Sequence, residues 1–245
     1  MHYASYKPDR YVPDLATASR QGATDLAASA GMSGANTEQR ILDVGCGCGC
    51  LLAALRSRGY AQSVGVDLDP TLVQHGRAVL GVDISQGGWR TYLEGAGGSF
   101  DTIIAIDVLE HLSRDEVLPT LKITRERLAS GGRLILRTPN ALCPFVLPLL
   151  YGDLSHEFLI TPRLMVHLLR LAGFRGEIAV HETHPAGGAK RVMHKLVHCL
   201  LVRPLVSLAY YHFAGEFPRV ITQNMIVCAR ATAGSRANKH AQAML

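Results

Sequence analysis

The chain has 245 residues, 48% hydrophobic and 18% charged, which is enough apolar material for one sizeable core and excludes wholesale disorder. A formal charge of +5 raises nucleic acid as a partner, but the basic residues are spread. Only a modest cluster stands at Lys190, Arg191, His194 and Lys195, with no aromatic-interleaved basic stripe to argue for nucleic acid.

Residues 1–38 form an N-terminal segment, rich in Tyr, Pro and Arg at first and then alanine-rich and helical over about 14–30. Residues 1–10 lack the apolar stretch of a secretory signal, and no charge-free apolar run anywhere reaches the ~18 residues of a membrane-spanning helix. The expectation is a cytoplasmic chain whose six cysteines stay reduced.

From there the elements alternate. A strand over 40–44 leads through a glycine-rich turn to a helix over 50–58, and a second strand covers 63–67. Asp69-Pro70 opens the next helix, with proline where a missing N–H costs little. Residues 81–98 carry a third strand and a short helix whose register is ambiguous. A continuously apolar fourth strand spans 102–106, as expected of a strand covered on both faces. A helix over 116–129 follows, with Pro119 expected in its first turn. Gly131-Gly132 turns into a fifth strand at 133–138, and Thr161-Pro162 opens a helix that Gly173 ends. Strands six and seven are expected at 178–181 and 222–229.

Between those last two strands lies a long excursion, 182–220. Its apolar, histidine-rich part over 192–213 is interrupted by Arg203-Pro204. It reads as a helical lid over an acceptor pocket, as helices that simply pack, or as an amphipathic patch making weak contact with a membrane surface. The tail, 231–245, is small, polar and basic, and expected to be disordered. One α/β domain over 39–230 is the expected organisation, built on right-handed crossovers and a largely parallel sheet.

The glycine turn narrows the ligand. Asp43-Val44-Gly45-Cys46-Gly47-Cys48-Gly49-Cys50 joins two strands at the sheet edge where α/β folds bind nucleosides. A dinucleotide fingerprint wants its third glycine at the position of Cys50, and a pyrophosphate would be repelled by Asp43. A cationic cofactor with no phosphate, such as S-adenosylmethionine, tolerates both features. Alternating Cys46, Cys48 and Cys50 lack the further ligands of a tetrahedral metal site, so they read as small, partly apolar side chains under the cofactor.

Five segments in order resemble the class I S-adenosylmethionine-dependent methyltransferases. They are Asp43–Gly49, Val64-Gly65-Val66-Asp67, the stretch from Ser99 through Asp107-Val108-Leu109-Glu110-His111-Leu112, the hairpin from Leu128 to Asn140, and Leu168 to Phe174. The closest look is to the bacterial ubiquinone-biosynthesis O-methyltransferases and to sugar and glycan methyltransferases. That resemblance implies a Rossmann-like, doubly wound seven-stranded sheet, mostly parallel with an antiparallel last strand and a helical insertion before it. It also implies S-adenosylmethionine as cofactor and a small-molecule, sugar or glycan-precursor acceptor, methylated at a hydroxyl. A ribonucleic acid acceptor and a non-catalytic binding role remain as alternatives, although Asp107-Val108-Leu109-Glu110 is unlike the Asn/Asp-Pro-Pro-Tyr that holds a flipped base.

By the same resemblance the cofactor cradle comprises Asp43, Gly45, Cys46, Gly47, Gly49, Asp67, Leu68, Asp83, Ile84 and Asp107. The glycines let the backbone approach the cofactor, Asp67 suits two ribose hydroxyls, and Leu68 and the Asp83-Ile84 pair suit adenine. His111, directly after strand four, and His156, on the connection after strand five, are the candidate general bases. The late cluster His181, His184, His194, His198 and His212 has no evident third ligand, so no metal is expected.

Overall fold

A computed structural model describes Gly22 and residues 36–183, 188–215 and 217–232. The expected N-terminal helix, apart from Gly22, and nearly all of the expected disordered tail lie outside those residues.

Seven strands form one sheet in the order β3-β2-β1-β4-β5-β7-β6. They are β1 (Ile41–Val44), β2 (Ser63–Asp67), β3 (Ile84–Gln86), β4 (Phe100–Ile106), β5 (Leu128–Pro139), β6 (Ile178–Glu182) and β7 (Asn224–Arg230). The pairs from β3 across to β5 are parallel, and β7 runs antiparallel to both β5 and β6. The order reverses beside β1, which leaves a crevice at the carboxyl ends of β1 and β4.

Side-chain alternation in β1 shows why the fold has three layers. Leu42 and Val44 join a core with Leu93 of α3 (Trp89–Gly95), Leu121 of α4 (Arg114–Arg127) and Leu169 of α6 (Pro162–Leu171). Ile41, pointing the other way, packs with Leu51 and Leu55 of α1 (Cys50–Arg56). A third cluster sets Val73 of α2 (Pro70–His75) against Ile84 and Leu52. Helices therefore cover both faces, and the central strands are apolar on each.

Helix α4 begins two residues earlier than expected. Ser113 caps it, its N–H and hydroxyl both donating to Glu116 Oε2, at 3.0 and 2.6 Å. Pro119 consequently sits in the second turn rather than the first, where its ring forfeits one helical hydrogen bond. After β5 the chain makes a long loop with a short helix, α5 (Leu147–Tyr151), and returns at Ile160. A bridge between Asn140 and Ile160, with Ala141 N–H donating to Ile160 O at 3.1 Å, closes that loop at its base.

The late excursion is one helical run. α7 (Gly188–Val197) continues through a π-helical turn (His198–Val202) into α8 (Arg203–Ala214). Pro204 was expected to interrupt it. The π turn just before supplies the wider spacing in which a residue without an N–H fits, so the helix passes through. Joined in this way, Val192–Ala214 is long and apolar enough to cross a membrane by length and composition, and only 6% of its apolar window is buried. Lys195 and Arg203 lie within it, so it is not a charge-free run.

Both ends of the excursion are tied to the sheet. Glu182 at the end of β6 accepts the amide of Ile221 at 3.1 Å, and Thr183 donates its hydroxyl to Asn224 O at 2.9 Å.

Candidate active site

The turn after β1 is shaped by its glycines. Gly45, Gly47 and Gly49 have φ of 64°, 56° and 82°, a region L side chains rarely adopt. A Cβ on Gly45 would stand 2.4 Å from Val108 Cγ2, and one on Gly49 would stand 2.6 Å from Val82 Cγ2. A Cβ on Gly47 would meet only Leu72, at 4.0 Å, so glycine is required there by its backbone and leaves open space beside the loop. The amides of Gly45 and Cys46 both donate to Val66 O, at 2.8 and 3.2 Å, which pins the loop to β2.

Asp67 closes the arrangement. Its Oδ2 accepts Gly47 N–H and its Oδ1 accepts Asp69 N–H, both at 2.8 Å. Each carboxylate oxygen keeps acceptor capacity after one such bond. Burial raises its pKa from the usual value, opposed by those two amide bonds. Asp69 then caps α2, accepting from Thr71 N–H at 2.8 Å. Between the two acids Leu68 is 63% exposed, an apolar side chain held at the sheet edge.

A cleft of about 200 Å³ lies against this loop, lined by Asp43, Gly45, Cys46, Leu51, Ile106, Asp107 and Arg137. Asp107 follows β4 with φ 54°, a left-handed conformation that aspartate tolerates better than most residues. It is paired with Arg137, whose Nε donates to Oδ1 at 3.0 Å and whose Nη2 donates to Oδ2. Asp43 is 3% exposed and Cys46 is half-buried. Burial and the neighbouring Asp43 push the Cys46 thiol far above its ordinary range. Cys48 and Cys50 bring their sulfurs to 3.4 Å, and that contact lowers the Cys48 pKa to about 7.

The left-handed turn at Asp107 throws the chain into a short 3-10 turn, Leu109–His111. Glu110 is 2% exposed and accepts the Thr138 hydroxyl at 3.1 Å. Burial, with Asp107 nearby, pushes its carboxyl up to about 8. The backbone of Glu110 also accepts Glu157 N–H at 2.8 Å, which draws the loop after β5 onto the end of β4. That contact brings His156 to His111, with ring centroids 4.7 Å apart and planes tilted 56°.

His111 Nδ1 lies 3.1 Å from Ser155 O and 3.0 Å from Ser155 Oγ. A carbonyl oxygen only accepts, so Nδ1 carries the proton and the basic lone pair of the ring is on Nε2. Ser155 Oγ in turn donates to Asp153 Oδ1 at 2.5 Å. Nδ1 of His156 is buried with no hydrogen-bond partner among the described residues. Glu110, His111 and His156 each place a ligand-type atom within 4.8 Å of the others, a compact group able to take or pass protons.

The structure thus brings Asp43, Gly45, Cys46 and Asp107 to one cleft, adjoined by Gly47, Asp67 and Leu68, with His111 and His156 at the next turn. Gly49 instead caps α1 and packs against the core. Asp83 and Ile84 do not belong with them. Gln86, not Ile84, is level with Asp67 in the parallel register, so Asp83 precedes β3 at the far end of the strand. Ile84 is fully buried against Leu52, Val73 and Val82. Arg137, Glu110, Thr138 and Ser155 were not singled out by sequence. Arg137 carried a signal, a cation directly after the apolar Leu134-Ile135-Leu136 of β5. Of the late histidines, His198 pairs with Glu182 at 3.3 Å and stacks on His194.

A family model described as a methyltransferase domain matches residues 2–178. Ribosomal RNA small subunit methyltransferase C of Chromohalobacter salexigens is 35% identical over 127 residues, 50% of this chain and 37% of that protein. Ubiquinone biosynthesis O-methyltransferase of Xanthomonas euvesicatoria pv. vesicatoria is 30% identical over 154 residues, 56% of this chain and 63% of that protein. The matched region spans less than two thirds of either relative. A SAM-dependent methyltransferase from Archaeoglobus fulgidus superposes with TM-score 0.64 at 16% identity, over 87% of this chain and 94% of that one. Haemonchus contortus phosphoethanolamine N-methyltransferase 2, in complex with S-adenosyl-L-methionine, gives 0.60 at 16% identity, over 87% of this chain and 52% of that one. At such identities the structural likeness is one of fold.

Proposed function

This chain belongs to the family of S-adenosylmethionine-dependent methyltransferases, and from that premise we propose that it methylates a hydroxyl on a small organic acceptor. The residues fit the cofactor. The positive-φ turn leaves open space at Gly47, and Asp67 offers two carboxylate oxygens with acceptor capacity to spare for a ribose. Asp43 and the cleft beside it suit a cationic, amino-acid end.

Bound S-adenosylmethionine supplies an electrophilic methyl on a sulfonium, so the protein's work is alignment and proton removal. The observation that carries the hydroxyl reading is the His111–His156 pair, 4.7 Å apart at the turn after β4. Ser155 holds Nδ1 of His111 as donor, which leaves Nε2 to take the acceptor's hydroxyl proton as its oxygen attacks the methyl group. A hydroxyl needs such a base near neutral pH, and histidine is matched to that task. Held by the glycine turn, Asp43 and Asp67, the cofactor would supply the methyl group and a neutral thioether as leaving group, and His111 would keep the acceptor's proton.

The test is to incubate the chain with methyl-labelled S-adenosylmethionine and, in parallel, catechols, quinols, sugars and ribosomal RNA. Label in a small hydroxylated acceptor, lost in His111→Ala, supports the reading. Label in RNA alone overturns it and favours the activity named for the Chromohalobacter relative.

A further inference from the structure

We propose that the helical run from Val192 to Ala214 lies flat in the headgroup layer of an anionic lipid bilayer. Its outward side is apolar and exposed among the described residues: Leu196, Leu200, Leu205, Leu208 and Phe213 are 49, 69, 68, 62 and 86% exposed. Among the described residues nothing covers these side chains, and a run of exposed apolar side chains of this kind marks a contact surface.

Its inward side is polar and tied to the domain at three levels. His198 Nε2 and Arg203 Nη1 both reach the Glu182 carboxylate, at 3.3 and 2.9 Å. Seven residues on, the Tyr210 hydroxyl donates to Leu142 O. The π turn matters here, because a five-residue step across it keeps His198 and Arg203 on one side. The run is about 35 Å long, enough to cross a bilayer. To do so it would have to abandon every one of these ties and pull a buried histidine and an arginine into hydrocarbon. Lying in the interface keeps them all.

Charge selects the lipid. Charges over 182–220 are Lys190, Arg191, Lys195, Arg203 and Arg219 against Glu182 and Glu216, so the excursion carries a net +3. A bilayer with anionic headgroups matches that sign, whereas a second copy of the same cationic helix would repel it. Exposed apolar side chains also occur beyond the helix. Leu142, held by Tyr210, leads into the loop where Phe145 and Tyr151 are 62 and 75% exposed.

The experiment is flotation of the full chain with phosphatidylcholine vesicles, with and without phosphatidylglycerol, followed by a high-pH carbonate wash. The expected result is flotation only with phosphatidylglycerol, weakened by salt and released by carbonate. A Leu200→Glu/Leu208→Glu variant alters two exposed side chains, and its flotation should fall at least about tenfold. Its binding of S-adenosylhomocysteine by calorimetry should not change, which separates loss of the surface from loss of the fold or of the cofactor site. Retention through the carbonate wash overturns the proposal in favour of a spanning helix. No flotation, with dimerisation abolished by the same variant, overturns it in favour of a second copy.

Discussion

The Asp67 carboxylate accepts the Gly47 amide at 2.8 Å, so the acid that ends β2 holds the glycine turn that ends β1. One side chain therefore fixes the turn and, in the function proposed above, also presents acceptor oxygens to a ribose. Asp67→Ala should weaken S-adenosylhomocysteine roughly 100-fold, the size expected for two charge-assisted bonds of about 1.5 kcal/mol each. Asp67→Asn keeps one acceptor oxygen for the turn and should lose less. Titration calorimetry of both variants checks the order, and equal affinity for wild type and Asp67→Ala would sink the assignment.

The two histidines should separate in kinetics. If His111 removes the proton, His111→Ala lowers kcat by about 10²–10⁴ while leaving S-adenosylhomocysteine affinity unchanged. Ser155→Ala deletes one of two partners on Nδ1 and keeps the carbonyl, so its loss should be small. An acceptor with an already ionised oxygen should rescue His111→Ala. Single-turnover assays across pH would show it.

Glu110 makes stability depend on pH. Its carboxyl titrates near 8 when folded against 4.5 ordinarily, so the folded state holds its proton more tightly. The contribution is therefore fully present below about pH 4.5 and is lost as pH rises through 8. Glu110→Gln, which cannot ionise, should flatten the fall in Tm over that window and melt higher at alkaline pH. Thermal melts from pH 5 to about 9 on both proteins test the sign.

Asn140 is the polar knot behind the site. Fully buried, it donates to Val220 O and Thr222 O and accepts Leu142 N–H, each at 3.0 Å. Asn140→Leu would orphan two carbonyls and an amide, at a cost of about 3 kcal/mol or more. Urea unfolding should show the loss in midpoint, with the slope unchanged.

Gly45→Ala confronts both an unfavourable φ of 64° and a 2.4 Å approach to Val108. Gly47→Ala has a similar φ but open space. The first should lower Tm more than the second, while both weaken cofactor binding. Parallel melts and calorimetry distinguish stability from site occupancy.

Legibility in the sequence followed distance along the chain. The glycine turn and Asp67 could be read because each position's role is dictated by local backbone need and strand alternation. β3 could not, since it has three residues, too few for a period of two to fix the register. The reading was thus misled by Asp83-Ile84, and Ile84 proves to be core. Partnerships such as Arg137–Asp107 or Ser155–His111 join residues 30 and 44 apart, which only the folded sheet brings together. The histidine candidates were visible as residues but not as a pair. The helical run was hidden for a different reason: Pro204 signals a break, and a π turn cancels that signal.

The ties at Glu182 and Thr183 give the molecule a modular character. They fasten the two feet of the excursion side by side on the rim of the sheet, whatever the intervening chain does. Lengthening a loop between fixed feet costs little, growing only with the logarithm of its length. Such an attachment lets the excursion be shortened, exchanged or grafted while the cofactor half stays as it is. For engineering, the useful cut points are Thr183 and Ile221, where a transplanted cap would inherit a finished socket.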